Sequence, residues 1–218
     1  MSNCEFPDDL YYDVENDVWL RNSEGEDSAR VGITTVLIFV AGKFERISLR
    51  TSKSIVSRGD IIATLESPKY FGAVRSPVLG SIKGFNFDVQ ENPRIVLDSP
   101  YENGWLVEYD RFDKSKLAGL YYGEAARAKL ESRIKELRIR CFKTLWDDEM
   151  YAIGIECSAT LVNLDDLLSE HKSGYVVHLV TDDPTADIEM VRWSMQTGNE
   201  LLESRTEDNL YHFIVRKK

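Results

Sequence analysis

The sequence predicts two folded domains of different class, an all-β domain first and a two-layer α/β domain second, joined by a helical connector. Three observations carry this. Short β-type runs separated by Gly, Pro, Ser and Asp fill the first half, as in a small sandwich or barrel. A basic, proline-free stretch with helical spacing follows. Strand-like and helix-like segments then alternate to the end. The length of 218 residues allows either one large domain or two small ones. Net charge divides along the same lines, with −7 over residues 1–113, +3 over 114–150 and −6 over 151–218.

In chain order, residues 30–34, 44–49 and 60–65 read as strands of about five residues. Residues 66–69 read as a turn and 70–75 as the returning strand. Over 116–142, Ala125, Leu130, Ile134, Leu137 and Cys141 recur among Arg, Lys and Glu, the pattern of an amphipathic connector helix packed by one stripe. Its charged face is expected to be solvated. Beyond it, 151–155 is a strand and 158–171 a helix with Leu161, Leu164 and Leu168 inward. Residues 175–180 form a strand, 185–196 a helix, and 199–204 and 210–216 two closing strands. The expected order is β-α-β-α-β-β. The domain boundaries fall at 6–113, 114–146 and 147–218.

Composition excludes several function classes. A net charge of −10, from 27 basic and 37 acidic residues, argues against a surface built for nucleic-acid phosphates. At 43% hydrophobic residues the chain can bury a core, which argues against disorder. The longest strongly apolar run, 36–41, is far short of the ~20 residues that cross a bilayer. The acidic first residues lack the basic flank and apolar stretch of a secretory signal. Three cysteines, Cys4, Cys141 and Cys157, are too few and scattered for a disulfide framework, and a reducing cytoplasm is the expected compartment. Cys4 and Cys141 read as incidental. His171, His178 and His212 lack metal-ligand spacing, so no metal site is expected, and alternation leaves His178 facing solvent. No phosphate-cradling glycine loop or nucleophile elbow is present. Asp182-Asp183-Pro184 reads as a helix cap rather than an acid–base pair.

Two positions stand out. Pro68 fixes φ near −65° and ends the outgoing strand, so Lys69 projects from a bend into water. A solvated surface lysine and a modification site both fit that place. Cys157 lies at a strand-to-helix junction, where unpaired N–H groups favour a thiolate. A buried thiol acting as a small hydrophobe is the plainer reading of that place.

The run Glu66-Ser67-Pro68-Lys69, followed by Pro77-Val78-Leu79-Gly80, resembles the lipoyl-attachment segment of the glycine cleavage system H protein. Upstream, Asp17-Val18-Trp19-Leu20, Val31-Gly32-Ile33-Thr34 and Ser57-Arg58-Gly59-Asp60 resemble that family's Trp strand, Gly-Ile-Thr strand start and Gly-Asp turn. Downstream, Pro100-Tyr101-Glu102-Asn103-Gly104-Trp105 resembles its closing segment. The chain departs where the family's His-Glu before the Trp is replaced by Asp17-Val18, and where its Leu-Gly-Asp is blurred into Val40-Ala41-Gly42-Lys43. The resemblance implies a lipoyl-type sandwich or barrelled hybrid with lipoate on Lys69. It also implies that Glu66 aids recognition by a lipoylating enzyme, and that Gly72 and Gly80 let the backbone bend, although both read equally as plain turn glycines.

The C-terminal part, with Gly154-Ile155-Glu156-Cys157, Thr181-Asp182-Asp183-Pro184 and Thr197-Gly198-Asn199-Glu200, resembles a TusA-type sulfur-carrier domain. In that family a Gly-x-x-Cys-Pro-x-Pro motif bears a persulfide. Gly154 and Cys157 match, while Ser158 and Thr160 replace both prolines.

Together these resemblances imply a carrier rather than an enzyme. One role is shuttling an aminomethyl group between glycine decarboxylase (P-protein), aminomethyltransferase (T-protein) and dihydrolipoamide dehydrogenase, after loading by lipoate ligase or lipoyl synthase. The alternative is a lipoate-bearing carrier in sulfur transfer, with Cys157 as persulfide carrier and sulfurtransferases as partners. A scaffold that kept the fold without the cofactor is a third class. Neither nucleic acid nor membrane is an expected partner.

Overall fold

The structure is a computed structural model that describes residues 4–22, 28–49, 54–112 and 117–218. The first residues of the acidic N-terminus (1–3) and the expected start of the connector (114–116) lie outside them. The chain divides into two compact units, Met1–Cys141 and Phe142–Lys218.

The first unit is two antiparallel sheets. The larger holds β1 (Tyr11–Asp13), β2 (Val18–Asn22), β3 (Ala29–Ile33), β5 (Ile55–Val56), β8 (Gly80–Phe85), β9 (Trp105–Phe112) and β10 (Tyr121–Tyr122), in the order β10-β1-β2-β3-β9-β8-β5. The smaller holds β4 (Arg46–Leu49), β6 (Ile61–Ser67) and β7 (Tyr70–Arg75), in the order β4-β6-β7. Val18, Leu20, Val31, Ile33, Ile47, Ile62, Leu65 and Leu106 are buried. Short helices α1 (Thr35–Ala41), α2 (Phe87–Glu91) and α3 (Arg94–Asp98) interrupt the strands.

The scattered motifs converge here. Trp19 pairs across the strands with Gly32, and a Cβ at position 32 would lie 2.5 Å from Trp19 Cζ2, so that strand needs glycine for the indole to lie flat. Trp19 Nε1 donates to the Pro100 carbonyl at 3.2 Å. The adjoining Tyr101 hydroxyl accepts from Thr35 N–H at 3.1 Å, and burial pushes its phenol up to about 12. Ser76 Oγ donates to the Val78 carbonyl at 2.7 Å. Gly80 lies where a Cβ would come within 2.7 Å of Tyr109 Cδ1. Gly72 and Gly80 sit within β7 and β8 without positive φ. Gly72 makes room for the Tyr70 hydroxyl, so the expectation that these glycines bend the backbone gives way to close packing.

The helix read over 116–142 is α4 (Gly123–Glu136), and it belongs to the first unit. Ala126, Leu130 and Ile134 are buried with Phe6, Leu10, Tyr12, Val14 and Trp19. Ala126 replaces the expected Ala125 on the stripe, and Leu137 is exposed. Cys141 is buried in the same cluster and forms a disulfide with Cys4, the Cα atoms 5.2 Å apart. This corrects the reading of both cysteines as incidental: the fold brings together residues 137 positions apart.

The second unit runs β11 (Asp148–Ala152), α5 (Cys157–Ser169), β12 (Val176–Thr181), α6 (Ala186–Thr197), β13 (Glu200–Glu207) and β14 (Leu210–Arg216). Its sheet has the order β11-β12-β14-β13, with β11 and β12 parallel and the other pairs antiparallel. Leu164, Leu168, Met190 and Trp193 pack on Val177, Leu179, Phe213 and Val215. His178 does not face solvent. It is buried with Nε2 3.1 Å from His212 Nδ1, and its ring lies against those of Phe142 and Trp146. Those two side chains cover that strand face.

Candidate functional site

Lys69 occupies the tip of the β6–β7 hairpin. Ser67 pairs with Tyr70, which leaves Pro68 and Lys69 as a two-residue bend. Neither takes positive φ, so this is not one of the primed turns that glycine favours. Proline at the first bend position presets φ and withholds a donor that the strand does not need there. Both bend residues are exposed, and the amine lies outside the core.

The bend is braced from behind. Ser67, buried, donates from Oγ to the Ala41 carbonyl at 2.6 Å, satisfying one of the unpaired carbonyls at the end of α1. Gly42 terminates that helix at φ +75°, with its N–H on the Ile38 carbonyl at 2.7 Å. A Cβ there would lie 2.9 Å from Lys69 Cε. Gly42 thus serves the turn of the backbone and the passage of the lysine stem at once. Its importance was readable only as a glycine directly after an apolar run, a helix-stop signal.

Glu66 lies on the outer face of the small sheet, level with Arg46 on one side and Phe71 on the other. Arg46 Nη1 approaches it at 3.7 Å, and Phe71 is 76% exposed. Below the bend, Tyr70 has its phenol raised by burial and by the Asp17 carboxylate. Asp17, buried, receives both arms of Arg133 from α4 at 2.8 Å each. No local pattern linked those two residues.

Cys157 lies in another unit from Lys69. It opens α5 and is buried, and its backbone N–H donates to Asp183 Oδ2 at 2.7 Å. Asp183 Oδ1 accepts from the Thr185 N–H at 2.8 Å and from its hydroxyl at 2.7 Å. One carboxylate therefore serves the start of α5 and the residue ahead of α6, and these bonds hold it below the usual carboxylate range. Asp182 accepts from Gly154 N–H at 2.8 Å. The expected bias toward thiolate is reversed. Burial first, then the Asp183 and Glu189 carboxylates, push the Cys157 thiol up, against the helix dipole and a Thr185 hydrogen bond.

The chain thus presents an amine on a bend in its β domain and a buried thiol at a helix start in its α/β domain. The Glycine cleavage H-protein family model matches residues 10–133, and that of Sulfurtransferase TusA matches residues 152–217. The chain is 36% identical over 142 residues to "Probable glycine cleavage system H protein 2" of Saccharolobus solfataricus, covering 64% of this chain and 95% of that protein. It is 38% identical over 143 residues to the protein of the same description from Sulfurisphaera tokodaii, covering 65% and 96%. A crystal structure of a glycine cleavage system H protein from Mycobacterium marinum aligns at 27% identity and a TM-score of 0.45, over 52% of this chain and 97% of that one. The chain belongs to the glycine cleavage H-protein family and carries, in addition, a TusA-like C-terminal part.

Proposed function

We propose that this protein is a lipoyl carrier with lipoate in amide linkage on Lys69. The observation that carries the reading is the exposed lysine on a two-residue bend, with a glycine in place of any side chain beneath its stem. The bound group supplies a dithiolane that can hold an aminomethyl group and cycle between oxidised and reduced forms. The chain's own part is presentation. The Pro68 bend holds the attachment point away from the core, Ser67 and the end of α1 stiffen the base, and tethering raises the local concentration of the carried group at each enzyme visited. Glu66, with Arg46 and Phe71 beside it, is the row a lipoylating enzyme would read. The partners on this reading are lipoate ligase or lipoyl synthase, P-protein, T-protein and dihydrolipoamide dehydrogenase.

Peptide mass mapping of protein from its own cells tests this. Lys69 is expected to carry the mass of one lipoyl group, and Lys69→Arg to lose it with the thermal midpoint unchanged. Unmodified Lys69 in a lipoylation-competent host would refute the reading.

The TusA-like part favours a second reading, in which the arm carries sulfur received through Cys157. Glycine-dependent loading by P-protein separates the two. Failure of that loading, together with sulfuration of Cys157 by a persulfide donor, selects the sulfur role.

A further inference from the structure

Helix α6 turns Ala186, Met190 and Trp193 into the core of the second unit. At 100° per residue, the opposite face should be polar. Instead it carries Ile188, Val191 and Met195, which are 62%, 44% and 80% exposed and fall within an arc of about 60°. Three such side chains left in water along one stripe form an exposed apolar patch of the kind that marks an interaction surface.

Charge says what covers it. Asp187 and Glu189 flank Ile188. Residues 153–197, which include both helices, hold eight acidic and two basic side chains, whereas residues 198–218 hold four of each. Arg192, the basic residue of α6, is engaged by Glu189 at 2.8 Å. An isologous contact with a second copy would set one acidic layer against another, which is disfavoured. We infer that the outer face of α6 docks a different protein, one with an apolar groove rimmed by Lys and Arg. The inference holds whichever group Lys69 carries.

The test places a photo-crosslinking amino acid at Ile188 or at Met195 of the full chain in its own cells, with Tyr151, 59% exposed on β11, as the control position. Both stripe positions are expected to trap the same different protein, the control not. The trapped peptide should be apolar with flanking Lys or Arg. Asp187→Lys with Glu189→Lys should cut the adduct at least tenfold, and Lys→Glu changes on the trapped rim should restore it. In purified form, Met195→Asp should weaken binding to that protein at least tenfold with unchanged circular dichroism. Adducts to a second copy or within the same chain would overturn the inference. So would adducts insensitive to the charge reversals, or no adduct at all.

Discussion

After burial, Asp183 is the main influence on the one free cysteine among the described residues. A thiol at a helix start is ordinarily helped toward thiolate by unpaired N–H groups. Here the Cys157 N–H is already spent on the Asp183 carboxylate, whose charge opposes a second negative charge beside it. Asp183→Asn removes the charge and keeps one acceptor oxygen, which serves the Cys157 N–H when the amide nitrogen is turned toward Thr185. Alkylation of Cys157 by iodoacetamide at neutral pH should therefore accelerate several-fold in the variant, and its pH–rate curve should move to lower pH. An unchanged curve would leave burial and the Glu189 carboxylate as the causes of the quiet thiol. The sign for stability follows from the same shift. A thiol raised in the folded state contributes stability below its ordinary value, and that contribution is lost as pH rises toward the folded value. On the sulfur reading, this thiol needs a cationic partner surface near Asp183 and Glu189 before it can act.

At the scale of elements, α4 is fastened to the β1–β2 turn by a bidentate ion pair as well as by its apolar stripe. Asp17 sits in that turn at φ +54°, and its carbonyl accepts from Thr34 N–H at 2.9 Å, so the backbone that carries the carboxylate is tied to the next strand's end. Arg133→Ala leaves a buried carboxylate without its forked donor. Loss of about 2 kcal/mol is expected in denaturant unfolding, after allowance for the partly exposed arginine. Arg133→Lys should recover only part, because an ammonium lacks the planar fork. Nothing local signalled this pair, since Asp17 and Arg133 are 116 residues apart and the motif that holds Asp17 does not reach Arg133. Local signals did carry the β6–β7 hairpin, where Pro68 and the runs on either side place the bend, and β14, whose apolar and aromatic run from Leu210 to Arg216 spans the strand. They misplaced β11 by three residues, because Ile153 and Ile155 look like strand interior yet are exposed. Gly154, at φ +70° and held by Asp182, turns the chain there. The helix α1 was hidden in a run rich in β-branched residues, where length and periodicity do not separate strand from helix.

For the whole molecule, two units with separate cores should unfold as two events rather than one. The Cys4–Cys141 disulfide lies wholly in the first unit and spans nearly all of it. Closing so long a loop restricts the unfolded chain strongly, and native disulfides of this kind contribute about 2–4 kcal/mol. For a unit of this size each kcal/mol moves the midpoint by about 2–4 °C. Calorimetry of the intact chain without reductant should show two transitions. Dithiothreitol should lower one of them by about 4–16 °C and leave the other in place, since the second unit's cysteine is a free thiol. Cys4→Ser should reproduce the shift without reductant, and peptide mapping under non-oxidising work-up should recover the linked pair from the wild type. A common shift of both transitions would mean that the two units unfold as one. No shift, with the linked peptide absent, would mean that the two sulfurs are unbonded and that apolar packing of the N-terminal segment on α4 does the fastening.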